Sequence, residues 1–175
     1  PNMGTASQMN IEENMMLATR RTKKKTLKWG FNKEDREACV NKLKSLNLGL
    51  ENRLEQKVGL LSGGQRQAVT LLMATIQRPD ILLLDEHTAA LDPKTAKVVL
   101  ELTSKIVEEE KITTLMITHN MRDAIKYGNR LIMLNEGRVI FDISGEEKKN
   151  LTVQELLEKF EKDDDIQLDD KMILG

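Results

Sequence analysis

Two adjacent carboxylates, Asp85 and Glu86, end the apolar run Ile81-Leu82-Leu83-Leu84. Ligands of open α/β sheets sit at the carboxyl ends of strands. A strand delivering Asp then Glu to that rim can hold Mg²⁺ through the first acid and a water through the second. The plainer alternative is a strand that happens to end in surface acids. Ser62-Gly63-Gly64-Gln65 opens a helix. Two glycines let the backbone approach another group closely, and the N–H groups and positive dipole of a helix start favour a phosphate. A simple Ser-capped turn would use the same residues. Thr118-His119 ends a second apolar run, where the imidazole can reach the sheet rim or serve a structural bond. Asp92, six residues after Glu86, is either a functional acid or a helix N-cap.

Those groups need elements to position them. Ser62 is expected to cap a helix reaching about Gln77, apolar nearly all round and therefore buried. Ile81–Leu84 and Thr113–Ile117 read as strands buried on both faces, as in a parallel sheet. Asp92-Pro93 starts the helix between them, because Pro suits the first helical position. Its inner stripe is Ala96, Val99, Leu100, Thr103, Ile106 and Val107. A short helix over about 120–127 ends at Gly128. Leu131–Leu134 and Val139–Ile143 form a hairpin through Asn135-Glu136-Gly137. Thr152 and Glu155 cap a last helix reaching Phe160. Upstream, Thr5 and Gln8 suggest a capping box for a helix over about 6–20. Asn32 would cap another over about 33–46, and 47–60 is irregular with a helical turn near 51–55. Strands alternating with helices mean α/β with parallel pairing.

Composition bounds the rest. The 175 residues suffice for one domain with a core. Aromatics are only 3%, so that core is aliphatic, with nine Met available. A net charge of -1 gives no global field to recruit nucleic acid. The basic run Lys23-Lys24-Lys25, after Arg20 and Arg21, is a local exception, either a solvated segment or a contact with lipid or a partner. The single cysteine, Cys39, excludes an internal disulfide. It shares a helical face with Val40, Leu43 and Leu46, which reads as core. No apolar run approaches the ~18 residues of a membrane span.

Taken together, Leu61-Ser62-Gly63-Gly64-Gln65-Arg66-Gln67, Ile81 to Glu86, Ala90-Leu91-Asp92 and Thr118-His119 resemble the ABC transporter ATPase in order, spacing and context over about residues 1–160. The resemblance implies a partial P-loop NTPase core with parallel strands plus a helical subdomain. It implies a helical signature subdomain over 1–66, the C-terminal part of the ATPase core over 67–160 and an acidic tail over 161–175. Ser62, Gly63, Gly64 and Gln65 resemble the signature loop that caps the γ-phosphate of ATP held by a second subunit. Asp85 is similar to the acid that organises Mg²⁺, and Glu86 to the base that positions the attacking water. Asp92 resembles the acid at the dimer interface, and His119 the switch histidine that senses the γ-phosphate.

The chain also departs from the family pattern. No Gly-x-x-x-x-Gly-Lys-Ser/Thr occurs in these residues. Pro1–Glu13 look like the stretch just after the family's Q-loop, which implies truncation ahead of it. His87 stands where many relatives have Pro. The stretch His87 to Thr95, with Tyr127-Gly128-Asn129-Arg130, resembles a bacterial importer subgroup whose partners bind aromatic or other small amino acids. The implied function is that of the ATP-hydrolysing subunit of an importer, peripheral on the cytoplasmic face of the membrane. Its implied partners are a second ATPase subunit, a transmembrane permease and a solute-binding protein, with no nucleic acid. A soluble ABC ATPase or a non-catalytic interaction module are the alternatives. Docking on the permease would fall to the helical part, where Met3, Met9, Met15 and Met16 are either adaptable contacts or core. Without the strand that feeds the phosphate loop, the strand ending at His119 and the strand over 131–135 should stand apart or collapse together.

Overall fold

A computed structural model describes residues 4–21 and 33–161. The basic run at 23–25, Asn32, Met3 and the acidic stretch from 162 onward lie outside the described residues. The chain divides into two compact units, Pro1–Leu115 and Met116–Gly175.

The first unit is mostly helical. Helix α1 spans Ile11–Thr19, α2 Lys33–Lys44 and α3 Gly63–Thr75. The expected box at Thr5 and Gln8 does not start α1. Asn10 caps it instead, accepting from the Glu13 N–H at 2.8 Å while Glu13 accepts from the Asn10 N–H at 2.8 Å. The reason is Asn14, fully buried one turn in. Its amide accepts from the Ala6 N–H and donates to the Ala6 and Asn10 carbonyls at 2.8, 3.1 and 2.9 Å. A buried amide must find such partners, and here they are the residues before the helix, which are thereby bent into turns. Two 3₁₀ turns, Leu50–Asn52 and Val58–Leu60, fill the irregular stretch.

Helix α3 is the centre of this unit. Ala68, Val69, Leu71, Leu72, Met73 and Thr75 are all buried, and α3 packs on α1, on α2 and on the following helix, α4 (Pro93–Glu110). Burial around so much of its circumference explains its lack of a polar face. Of the α4 stripe, Val99, Leu100, Thr103 and Ile106 are buried, with Ala96 and Val107 partly so. Cys39 is core, and burial pushes its thiol up to about 11, so it stays protonated. Met15 is likewise core, whereas Met9 is exposed.

Strand β1 (Ile81–Asp85) pairs with β2 (Thr113–Ile117) in a parallel two-stranded sheet. The reading of both strands as covered on two faces is corrected. In β1, Leu82 and Leu84 are buried, but Ile81 and Leu83 are 54% and 66% exposed. In β2, Leu115 and Ile117 are each 52% exposed. Two-sided burial needs a layer on each face of the sheet, and the described residues cover one face of β1.

The second unit is built on a hairpin. Strands β3 (Arg130–Asn135) and β4 (Arg138–Ser144) are antiparallel. Glu136 and Gly137, with φ of 47° and 75°, make the two-residue turn, whose handedness matches the strand twist. Helices α5 (Met121–Lys126), α6 (Gly145–Lys149) and α7 (Val153–Glu161) complete it. Met121, Leu131, Ile143 and Leu156 form a small apolar core. Thr152 and Glu155 form the expected box. The sheets β1-β2 and β3-β4 share no paired strand among the described residues, and no strand arises from residues 4–21.

Candidate nucleotide-binding site

Asp85 is the last residue of β1 and is exposed. Glu86, also exposed, turns sharply away: its φ is 42°, in the left-handed region. That conformation costs a non-glycine residue on the order of 1–2 kcal/mol, so it persists only where the surroundings impose it. The imposition is visible downstream. The Ala89 N–H donates to the Glu86 carbonyl at 3.0 Å, and the Leu91 N–H to the Thr88 carbonyl at 3.0 Å. These two turns carry the chain from β1 to α4. Between them His87 is half-buried, with its Nε2 3.3 Å from Thr103 Oγ1. Burial holds its ring pKa below the ordinary value.

Asp92 is the N-cap of α4, its Oδ1 accepting from the Thr95 N–H at 3.0 Å. Hydrogen bonds from Thr95, side chain first, then backbone, hold its carboxyl below the usual range. Ser62 is the N-cap of α3. It accepts from the Gln65 N–H at 3.3 Å while Gln65 accepts from the Ser62 N–H at 3.2 Å. The glycines between them serve packing as well as any ligand. A Cβ on Gly63 would lie 2.9 Å from Leu91 Cδ2, and one on Gly64 2.2 Å from Thr95 Cγ2. The start of α3 is therefore pressed onto the start of α4, which brings Ser62–Gln65 beside Leu91-Asp92. Thr95 and Thr103 were not singled out as site residues from sequence. Thr95, three residues after a cap Asp and one helical turn inside, was the legible one.

His119 belongs to the second unit, after β2 and before α5. Thr118 Oγ1 accepts from the Asn120 N–H at 3.1 Å, and Asn120 caps α5 by accepting from Arg122 and Asp123 at 2.9 and 3.2 Å. Nearby Asp123 is raised by desolvation, against which Lys126 and His119 act.

Among the described residues no three His, Cys, Asp or Glu cluster as a metal cage. The donors at the end of β1 suit Mg²⁺ all the same. That ion keeps several waters and takes one or two carboxylates plus substrate phosphates rather than an all-protein cage.

The residue pattern of the ABC transporter family matches residues 2–89. The chain belongs to the ABC transporter family. Its fold is accordingly part of an ABC ATPase core together with a helical region. A tyrosine transport ATP-binding protein of Clostridioides difficile is 50% identical over 161 residues, covering 92% of this chain and 64% of that protein. The methionine import ATP-binding protein MetN of Streptococcus pneumoniae is 37% identical over 134 residues, 77% of this chain and 36% of that protein. The chain thus spans less than two thirds of the length of these relatives. Among solved structures, the dimeric ABC transporter cassette MJ0796 matches with a TM-score of 0.64 and 29% identity, over 81% of this chain and 59% of that one. The same cassette in a post-hydrolysis state, bound to ADP and Pi, gives 0.63.

Proposed function

We propose that the chain supplies the hydrolytic and signature elements of the ATP-binding subunit of an ABC importer for an amino-acid-like solute. One observation carries the reading: β1 ends in two exposed carboxylates, the second turned out by a left-handed backbone. Asp85 would hold Mg²⁺. Such an ion would supply charge neutralisation at the phosphate oxygens, the main demand of phosphoryl transfer. Glu86 accepts a hydrogen bond from the attacking water and orients it. His119 takes, by its resemblance to the family's switch histidine, the role of sensing the γ-phosphate. Within the Ser62–Gln65 loop, Gly63 and Gly64 present helix-start N–H groups to the γ-phosphate of ATP bound on a second subunit, the Ser62 and Gln65 N–H groups being taken by their capping box, and Asp92 stands at that dimer interface. Closure of the dimer around ATP couples hydrolysis to a transmembrane permease, with an extracytoplasmic solute-binding protein delivering the solute.

The importer reading is supported by relatives named for tyrosine transport and methionine import, and the dimer by the cassette whose structure is dimeric. The location on the cytoplasmic face rests on the permease. No helix among the described residues is long and apolar enough to cross a membrane. The domain reading is a helical signature part over 1–66, an ATPase part over 67–160 and an acidic tail over 161–175.

Uptake of labelled tyrosine in cells lacking the chromosomal gene, complemented by the full-length protein, tests the reading. Restored uptake that disappears with Glu86→Gln is the expected result. Uptake that never depends on the gene removes the amino-acid-like solute. ATP hydrolysis that ignores Glu86→Gln removes the catalytic assignment.

A further inference from the structure

His87 lies directly after Glu86, in the loop that joins β1 to α4. The two main-chain bonds within that loop, Ala89 to Glu86 and Leu91 to Thr88, set its local shape. They do not set its position against the rest of the unit. The contact between His87 Nε2 and Thr103 Oγ1, 3.3 Å long and spanning 16 residues, does. Thr103 is buried in the middle of α4, so it is a fixed point.

The direction of this bond follows from counting protons. The Thr103 hydroxyl lies 2.8 Å from the Val99 carbonyl, and it has one proton to give. The shorter contact takes it. The Thr103 oxygen is then the acceptor, and the His87 Nε2–H is the donor. A proline at this position would stiffen the loop by fixing φ; the histidine instead ties it to α4.

We propose that His87 is a positioning residue, whose Nε2–H bond to Thr103 fixes the loop that aims the Glu86 carboxylate. The inference rests on the reading of Glu86 as the residue that orients water.

The test is steady-state ATP hydrolysis by the full-length protein carrying His87→Ala, His87→Gln, His87→Asn, Thr103→Val or Glu86→Gln. Losing one part-buried hydrogen bond is expected to lower kcat up to about tenfold in His87→Ala, with KM for ATP within about twofold. Thr103→Val, which keeps the shape but loses the acceptor, should match it. The double variant His87→Ala/Thr103→Val should be no worse than either single variant. Glutamine places an N–H the same number of bonds from Cα as His Nε2, so His87→Gln should recover most of the rate. Asparagine ends one bond short and should not. Wild-type kcat in His87→Ala or Thr103→Val overturns the proposal. Equal losses in His87→Ala and His87→Gln overturn it as well, since ring shape rather than the bond would then matter. If His87→Ala does not fold, Thr103→Val decides alone. An inactive Glu86→Gln beside a fully active His87→Ala removes only this inference. A fully active Glu86→Gln removes the Glu86 reading, and this inference with it.

Discussion

Glu86→Gln keeps the size of the side chain and removes its basicity. Loss of general-base help is expected to lower ATP hydrolysis by roughly 100-fold or more, while ATP binding persists and the closed dimer accumulates. Single-turnover assays and size-exclusion with ATP would measure both. Lys148 is a residue whose role is purely structural and was not anticipated. It is buried, and its ammonium donates to the carbonyls of Ile125, Tyr127 and Gly128, the last two at 2.9 and 3.1 Å. Ile125 lies in the last turn of α5 and Tyr127 is its C-cap, where a helix leaves carbonyls without partners, and Gly128 follows directly. Lys148→Met should destabilise the second unit by ~1–2 kcal/mol, through the lost bonds from a charged donor to part-buried carbonyls, readable as a fall in Tm. The strand and helix ends that carry Ser62, Asp85 and Asp92 were legible in sequence because a cap or the end of an apolar run marks each. Lys148 was not, because a lysine in Glu146-Glu147-Lys148-Lys149 reads as solvated until tertiary contacts place it.

At the level of elements, the contact between α3 and α4 gives a sharp expectation. Gly64→Ala puts a methyl 2.2 Å from Thr95 Cγ2, and crowding of this kind costs ~1–3 kcal/mol. The gain in helix propensity, about 1 kcal/mol, offsets it only in part. Adding Thr95→Ser removes the offending methyl but keeps a hydroxyl, so the double variant should regain stability in urea titrations. A Gly64→Ala protein as stable as the parent would mean that the helices do not press together here. Sequence patterns located α3, α4, the hairpin and α7 well, because each has a cap or turn whose chemistry is local. They misplaced the start of α1, since two boxes compete there and buried Asn14 selects the later one. They also overstated the burial of β1 and β2. A run of apolar residues gives strand character, but the number of covered faces depends on neighbours in space.

The whole chain makes a further expectation about nucleotide. Tight ATP binding needs a nest of N–H groups and a lysine around the phosphates, and no such motif occurs in these 175 residues. Asp85 and Glu86 add negative charge facing a polyphosphate. The chain by itself should therefore bind MgATP only in the millimolar range, roughly -4 kcal/mol, with no hydrolysis above background. Supplying an intact partner cassette should restore at most one composite site, which the partner's phosphate loop and Ser62–Gln65 would share. Titration of a fluorescent ATP analogue checks this, and saturable micromolar binding to the chain alone would refute it. The left-handed backbone at Glu86 reaches beyond the site. Relieving it with Glu86→Gly should gain ~1–2 kcal/mol and lose ~0.5–1 to the freer unfolded chain. The variant would come out slightly harder to unfold and unable to turn over. With Glu86 in its proposed role, a screen for thermal stability alone would enrich a substitution that removes hydrolysis. At this one position, selection for function and selection for robustness pull in opposite directions.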